Sequence, residues 1–257
     1  MTGLGIATDA LVNDGIVLRT REVGRVVLET PSRRDFWFGH GFVLDAPPDA
    51  TRVTALIEEG RARFGPLGAT RFVMEWECAL DAPDMLRAAP AGTAFERTVV
   101  MAYDGPVPKA DPRVADHDDD ARWGEAAALA AEEYPQHGDF TGWRFACARE
   151  AVGAGRARVV GIRERGRLLN TVGLYRGDGL ARFMTPVTRP EARGRGLFGA
   201  CARTLIAWAN ADAPRRVAIA GDPDGDPVTL YRRLGFVAAS YVDAVIVPLS
   251  HSEHADG

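Results

Sequence analysis

A chain of 257 residues is long enough for one large domain or two of ordinary size, and its 46% hydrophobic content can fill a sizeable core. Its 31 basic and 35 acidic side chains leave a formal charge of -4, which argues against nucleic acid or an anionic membrane as partner and confines any anion site to a local cluster. Cys78, Cys147 and Cys201 form no CxxC pair and have no histidine at ligand spacing, so neither a disulfide framework nor a metal centre is expected, and a reduced, cytoplasmic setting is.

In chain order, residues 1–15 (MTGLGIATDALVNDG) lack a basic stretch followed by an apolar run, so no export signal is read there. No segment reaches the roughly 18 apolar residues of a membrane span. FWFGHGFVLDA (36–46) reads as a strand, with the run Phe36, Trp37, Phe38 taken as strand core. An amphipathic helix is predicted over about residues 51–63, then a strand at RFVMEWE (71–77), and further on a strand at FERTVVMA (95–102). Residues 104–120, rich in proline and aspartate, read as a linker. Helices follow at 121–134 and 143–152, and β-branched runs at 156–165 and 167–176, separated by Gly166, suggest a hairpin. A third strand is read at 179–188, then a helix from about 197 to 210, a strand at RRVAIAG (215–221), a short helix around PVTLYRRLG (227–235) and a last strand at SYVDAVIVP (240–248). Strands and helices interleaved in this way predict an α/β domain with helices packed on a sheet.

The stretch TRPEARGRGLF (188–198) lies between a strand and a helix. A helix start exposes backbone NH groups at the positive end of the helix dipole, and glycines let an anion approach them closely. Arg193 and Arg195 can add charge-assisted hydrogen bonds. The loop is not a mononucleotide P-loop, because the chain contains no GK pair, and it is not a dinucleotide fingerprint, because no GxGxxG follows an early strand. About 35 residues after RGRGLF comes LYRRLGF (230–236).

These two motifs in this order resemble the GNAT superfamily of acyl-CoA-dependent N-acyltransferases, over about residues 112–249. The resemblance implies an α/β (α+β) fold, with a mixed, mostly antiparallel sheet flanked by helices, and acetyl-CoA as co-substrate. It implies that the backbone of Arg193, Gly194, Arg195, Gly196, Leu197 and Phe198 holds the CoA pyrophosphate. It also implies that the strand through Thr185, Pro186 and Val187 lies along the pantetheine arm, with the NH of Val187 or a neighbour facing the thioester oxygen. Tyr231 matches the family's usual acid, which protonates the departing thiolate. Glu132 and Glu133, with His137, fall where the family builds one wall of the acceptor site, and the two acids are the candidate bases. Phe198 departs from the pattern, since the family prefers glycine or alanine there; the ring fits if it points inward.

The first half repeats this layout. From Leu44 to Val73 is 29 positions, against 30 from Val187 to Val217. DAPDMLRAAPAG then parallels GDPVTLYRRLGF, with Arg87 at the place of Tyr231. Where the second half carries the glycine loop, the first has DAPPDATRV, whose Asp45 and Asp49 would cap the helix themselves and repel a pyrophosphate. Two tandem units are therefore expected, a degenerate one at 1–110 without an acyl-CoA loop and an acyl-CoA-binding one at 111–250, with a disordered tail at 251–257. The expected activity is transfer of acetyl from acetyl-CoA to the amine of a small molecule, by a monomer or homodimer. A protein lysine or N-terminal acetyltransferase and a CoA-binding regulatory protein without turnover are the alternatives.

Overall fold

The computed structural model describes residues 3–82, 91–135 and 138–249, without the side chain of Trp37. His137, Arg87 (placed at the position of Tyr231) and the 251–257 tail lie outside the described residues. Two compact units emerge: one within Met1–Val100, Gly221–Gly225 and Ala238–Gly257, the other within Met101–Ala220 and Asp226–Val237. Among the described residues no helix is long and apolar enough to cross a membrane.

Unit 1 runs α1 (Leu4–Val12), β1 (Leu18–Glu22), β2 (Arg25–Glu29), β3 (Gly41–Leu44), α2 (Ala50–Phe64), β4 (Arg71–Cys78) and most of β5 (Ala94–Tyr103), and is completed by β11 (Phe236–Pro248). Its strands lie in the order β1-β2-β3-β4-β11-β5. The β3–β4 pair is parallel, Gly41 opposite Val73 and Leu44 opposite Trp76, because α2 carries the chain back across the sheet. The neighbouring pairs β1–β2, β2–β3 and β4–β11 are antiparallel. Along α2 the residues Val53, Leu56, Ile57, Gly60 and Phe64 recur at helical spacing and are buried. They close a core with Phe42, Phe72, Met74, Trp76 and Val245. Gly60 is required by this approach, since a Cβ there would stand 2.3 Å from the Phe72 ring.

A buried ion pair joins β5 to β11 in this unit's sheet. Asp243 of β11 is 1% exposed and accepts two hydrogen bonds from the Arg97 guanidinium of β5, at 2.7 and 2.8 Å. The Cys78 thiol lies 3.5 Å from the same carboxylate, and burial together with Asp243 pushes that thiol up to about 11. Removing one member of a buried ion pair strands the other. Arg97→Met is therefore expected to lower the unfolding free energy by about 3 to 5 kcal/mol in a urea titration; a loss below about 1 kcal/mol would show the pair to be dispensable.

Unit 2 runs β6 (Ala115–Asp116), α3 (Asp120–Glu133), α4 (Phe140–Gly153), β7 (Ala157–Glu164), β8 (Arg167–Gly177), β9 (Leu180–Thr188), α5 (Leu197–Ala209), β10 (Arg216–Gly221) and α6 (Asp226–Arg233). Its strands are ordered β10-β9-β8-β7-β6. β9 and β10 are parallel across the α5 crossover, and the other pairs are antiparallel. Asp119 caps α3 by accepting the Arg122 amide at 2.7 Å. Trp123, Leu129 and Phe145 of α3 and α4 pack with Val159, Leu168 and Val187 of the sheet.

Both units are thus mixed, mostly antiparallel sheets flanked by helices. Two local readings need correction. Residues 37–39 form a 3-10 turn, closed by the Gly39 amide on the Phe36 carbonyl at 2.8 Å, and strand structure starts only at Gly41. Phe36 is buried while Phe38 is 38% exposed, so the aromatic run is not a continuous strand core. The segment 104–120 is not wholly a linker: Ala115 and Asp116 pair with β7, and the Asp111 amide donates to the Thr204 hydroxyl of α5 at 2.9 Å.

Candidate functional site

The β9 strand leaves the sheet's regular geometry twice within a few residues. Of its nine residues only Leu180, Ala181 and Arg182 pair with β10, opposite Arg216, Val217 and Ala218; beyond them the two parallel strands separate. On the other edge the register against β8 slips by one, since Gly173 faces Met184 but Thr171 faces Val187. One β8 residue therefore opposes both Thr185 and Pro186, which is a β-bulge. Thr185 takes φ 49°, a left-handed conformation that costs a β-branched residue on the order of 1 to 3 kcal/mol. Pro186 has no NH to give to either neighbour. Thr185 and Pro186 are half-buried and Val187 is buried.

The loop after β9 ends at an open helix start. Gly194 and Gly196 have φ 75° and 73°, and a Cβ on either would meet nothing within 4 Å. Gly196 is the N-cap of α5 and supplies no side-chain cap. The helical ladder begins with the Ala200 amide on the Gly196 carbonyl at 3.1 Å, so the amides of Leu197, Phe198 and Gly199 have no helical acceptor. In unit 1 the corresponding helix start is closed: Asp49 accepts the Arg52 amide at 2.8 Å. There β3 also stays paired with β4 as far as Leu44, its last residue, so that strand pair does not open. Asp45 is held by Arg21 at 2.7 Å.

The arginines around the loop are held by acids. Arg193 pairs with Glu133, Arg195 with Glu164, and Arg189 with Glu132 at 2.6 Å. Arg195 keeps the Glu164 carboxyl below its ordinary range. Glu132 and Glu133 thus sit together at the C-terminal end of α3, each engaged with a guanidinium of the 189–193 segment.

Tyr231 is on α6 and is 5% exposed. Its ring lies 5.8 Å from that of Phe198 and 6.4 Å from that of Phe236, and Phe198 also meets Phe183 at 6.2 Å. Phe198 is therefore turned inward, 7% exposed, and helps to fix Tyr231. Burial, with a smaller contribution from Tyr134, pushes the Tyr231 phenol up to about 12, against a lowering influence from Arg182. Tyr134 in turn feels Glu133 and Arg193. The fold thus links Phe198 to Tyr231 by ring contact and Arg193 to Glu133 by charge.

Sequence reasoning missed a pocket in the same unit. It is a small recess between α4 and the sheet, with about 350 Å³ of empty space when the solvent at its mouth is counted. Arg144, Phe145 and Ala148 line it from α4, Val159 from β7, Thr171, Gly173 and Tyr175 from β8, and Met184 and Thr185 from the bulge. The one available signal was Gly173 inside an apolar strand, since a glycine there marks a close approach or a space.

No protein-family profile and no curated protein sequence matches the chain. Among solved structures, a conserved protein of unknown function from Staphylococcus epidermidis superposes with TM-score 0.71 at 10% identity, covering 90% of this chain and 93% of that one. A GCN5-related N-acetyltransferase from Kribbella flavida gives TM-score 0.64 at 19% identity, over 96% and 95% of the two chains. A tandem GNAT protein from the clavulanic acid biosynthesis pathway gives 0.56 at 16%, over 89% and 79%. At these identities it is the fold that is shared, and it is shared over nearly the whole length of the chain. The chain has the fold of the GNAT acetyltransferases.

Proposed function

We propose that the chain is an acyl-CoA-dependent N-acyltransferase that moves an acetyl group from acetyl-CoA to the amine of a small molecule, with its single CoA site in unit 2. The observation that carries this reading is the uncapped start of α5, preceded by two left-handed glycines and following a strand that parts from β10 after Arg182. Helix-end amides without a side-chain acceptor suit a diphosphate. Arg193 and Arg195 are near enough in sequence to follow it, exchanging Glu133 and Glu164 for phosphate oxygens. Unit 1 is proposed as a second copy of the fold without the site, because Asp49 occupies its helix start and β3 stays joined to β4. A cytosolic setting, where acyl-CoA is made and thiols stay reduced, accords with this reading.

In this reading the backbone along Met184–Val187 receives the pantetheine arm and orients the thioester carbonyl. The amine nitrogen bonds to that carbonyl carbon as the carbon–sulfur bond breaks. The nitrogen loses one proton and the sulfur gains one, so no redox partner is needed. Tyr231 gives the proton to the sulfur; with its pKa near 12 the phenol stays protonated across neutral pH. Glu133 and Glu132 are the proposed acceptors of the amine proton; Glu133 becomes available once the pyrophosphate draws Arg193 from it, while Glu132 stays beside Arg189.

Free-thiol release from acetyl-CoA, screened against amino acids, amino sugars, polyamines and peptides, tests the activity. Release with peptides alone would point to a protein acceptor, and CoA binding without release to any amine would point to a regulatory binder. Glu133→Gln is expected to tighten acetyl-CoA by about 2- to 10-fold, since one competitor for Arg193 is gone. The same variant is expected to lower kcat by about 100-fold or more as the base is lost. Unchanged kcat would remove Glu133 from proton transfer.

A further inference from the structure

The β8 strand carries one side chain that its surroundings do not favour. Asn170 is 0% exposed, and its chain neighbours Leu168, Leu169 and Val172 are buried as well. Its amide nitrogen donates to the Val187 carbonyl at 2.8 Å and to the Thr188 hydroxyl at 2.7 Å. A carbonyl can only accept, so the nitrogen must face Val187, and the orientation of the amide is fixed. The other end is left over: Oδ1 is buried and pairs with no group of the protein. For packing alone an asparagine is a poor choice at this position.

What the amide reaches is the far end of the β9 bulge. Thr185 and Pro186 together oppose one β8 residue, so the ladder is interrupted there and the strand has to be fastened again beyond it. Asn170 does so, together with the Arg189 amide on the Leu169 carbonyl at 2.9 Å and Arg189 Nε on the Leu168 carbonyl at 2.8 Å. The opposite edge of this stretch has no strand partner, because the pairing with β10 ends at Arg182. In unit 1 the β2–β3 pair runs without a slip from Arg25–Leu44 to Leu28–Gly41, and β2, RVVLE, contains no asparagine.

We propose that Asn170 is a positioning residue for acyl transfer: by holding the Val187–Thr188 end of the bulge against β8, it sets where the free edge of β9 presents its backbone to the thioester carbonyl. The inference rests on the acyl-transfer reading and adds a residue to its machinery. Asn170 bonds to β9 from the β8 side, and the edge left open by β10 is the other one. It therefore acts through Val187 and Thr188, without touching the donor. A misplacement of about 1 Å in a group that orients a reacting carbonyl costs on the order of 100-fold in rate. Donor affinity belongs instead to the start of α5, which a change at Asn170 leaves alone. Replacing Asn170 with an apolar residue removes two hydrogen bonds and also the unpaired Oδ1, so the effects on stability oppose each other. A positioning role thus predicts lost turnover with affinity and melting temperature kept, whereas a structural role predicts the reverse.

The test uses the full chain and acetyl-CoA labelled with carbon-13 at the thioester carbonyl, whose infrared band moves to lower frequency when backbone donors engage the oxygen. The wild type is expected to show that shift on binding. In Asn170→Val the band should return toward its position in free acetyl-CoA, while the Kd for acetyl-CoA stays within about 3-fold. Turnover with the best amine of the thiol-release screen should fall by about 10- to 100-fold in kcat. Melting temperature should stay within about 5 °C of the wild type. Asn170→Thr keeps one donor of the two bonds, so its band and kcat should be intermediate; it is read by the same criteria if Asn170→Val does not fold. A wild-type band and kcat in a folded variant would overturn the proposal. So would a Kd weakened by about 10-fold or more with the band unmoved, since the amide would then serve donor binding. A wild type that binds acetyl-CoA with no band shift at all would overturn it too, leaving the CoA site standing. Absence of acetyl-CoA binding by the wild type, titrated separately, would instead be the failure of the acyl-transfer reading itself.

Discussion

Gly196→Asp is expected to weaken acetyl-CoA binding by at least about 100-fold while leaving the fold intact. The position has φ 73° and open space around a Cβ, so the side chain meets no steric barrier, and aspartate is among the residues that tolerate the left-handed region best. Its carboxylate would bond to the same amides, of Phe198 or Gly199, that the diphosphate needs, and would add a negative charge beside it. The substitution in effect gives α5 the kind of cap that Asp49 gives α2. Melting temperature should be unchanged or higher, which separates lost binding from lost structure. Calorimetry with acetyl-CoA reads the effect directly, and ordinary affinity in this variant would remove the helix start from the account.

Tyr231→Phe is expected to lower kcat by about 100- to 10,000-fold with little change in acetyl-CoA affinity. The substitution deletes one oxygen from a ring already packed between Phe198 and Phe236, so packing is conserved and only the proton source is lost. The wild-type pH profile adds a second check. Because the phenol is pushed up to about 12, its protonated form is the only one present between about pH 6 and 10. No alkaline fall in kcat over that interval should arise from this group. A fall that vanishes in Tyr231→Phe would mean a much lower phenol pKa, and with it a site far wetter than the structure has it.

The conformation of the glycine loop and the helix start after it were legible in the sequence, because they depend on residues adjacent in the chain. Gly194 and Gly196 are written where left-handed backbone is needed, and α5 begins at Leu197 as its apolar spacing predicts. Features made by distant residues were not legible. The parting of β9 from β10 is a property of two strands more than 30 residues apart, and the bulge at Thr185 uses a residue type that ordinarily avoids that conformation. The ion pairs of Arg193 and Arg189 with Glu133 and Glu132 require α3 to be folded beside the loop, which no local pattern states. Nor does any pattern gather Arg144, Gly173 and Thr185 around one pocket. In the first half, α1, β1 and β2 escaped notice for a different reason. The β1 strand LRTRE is largely exposed and charged, so it lacks the alternation that marks a half-buried strand.

A crystal of the protein with coenzyme A tests the central claim most directly. The account predicts diphosphate oxygens within hydrogen-bonding distance of the amides of Leu197, Phe198 and Gly199, with Arg193 turned from Glu133 toward the phosphates. Coenzyme A bound elsewhere, with those amides left to solvent, would contradict it.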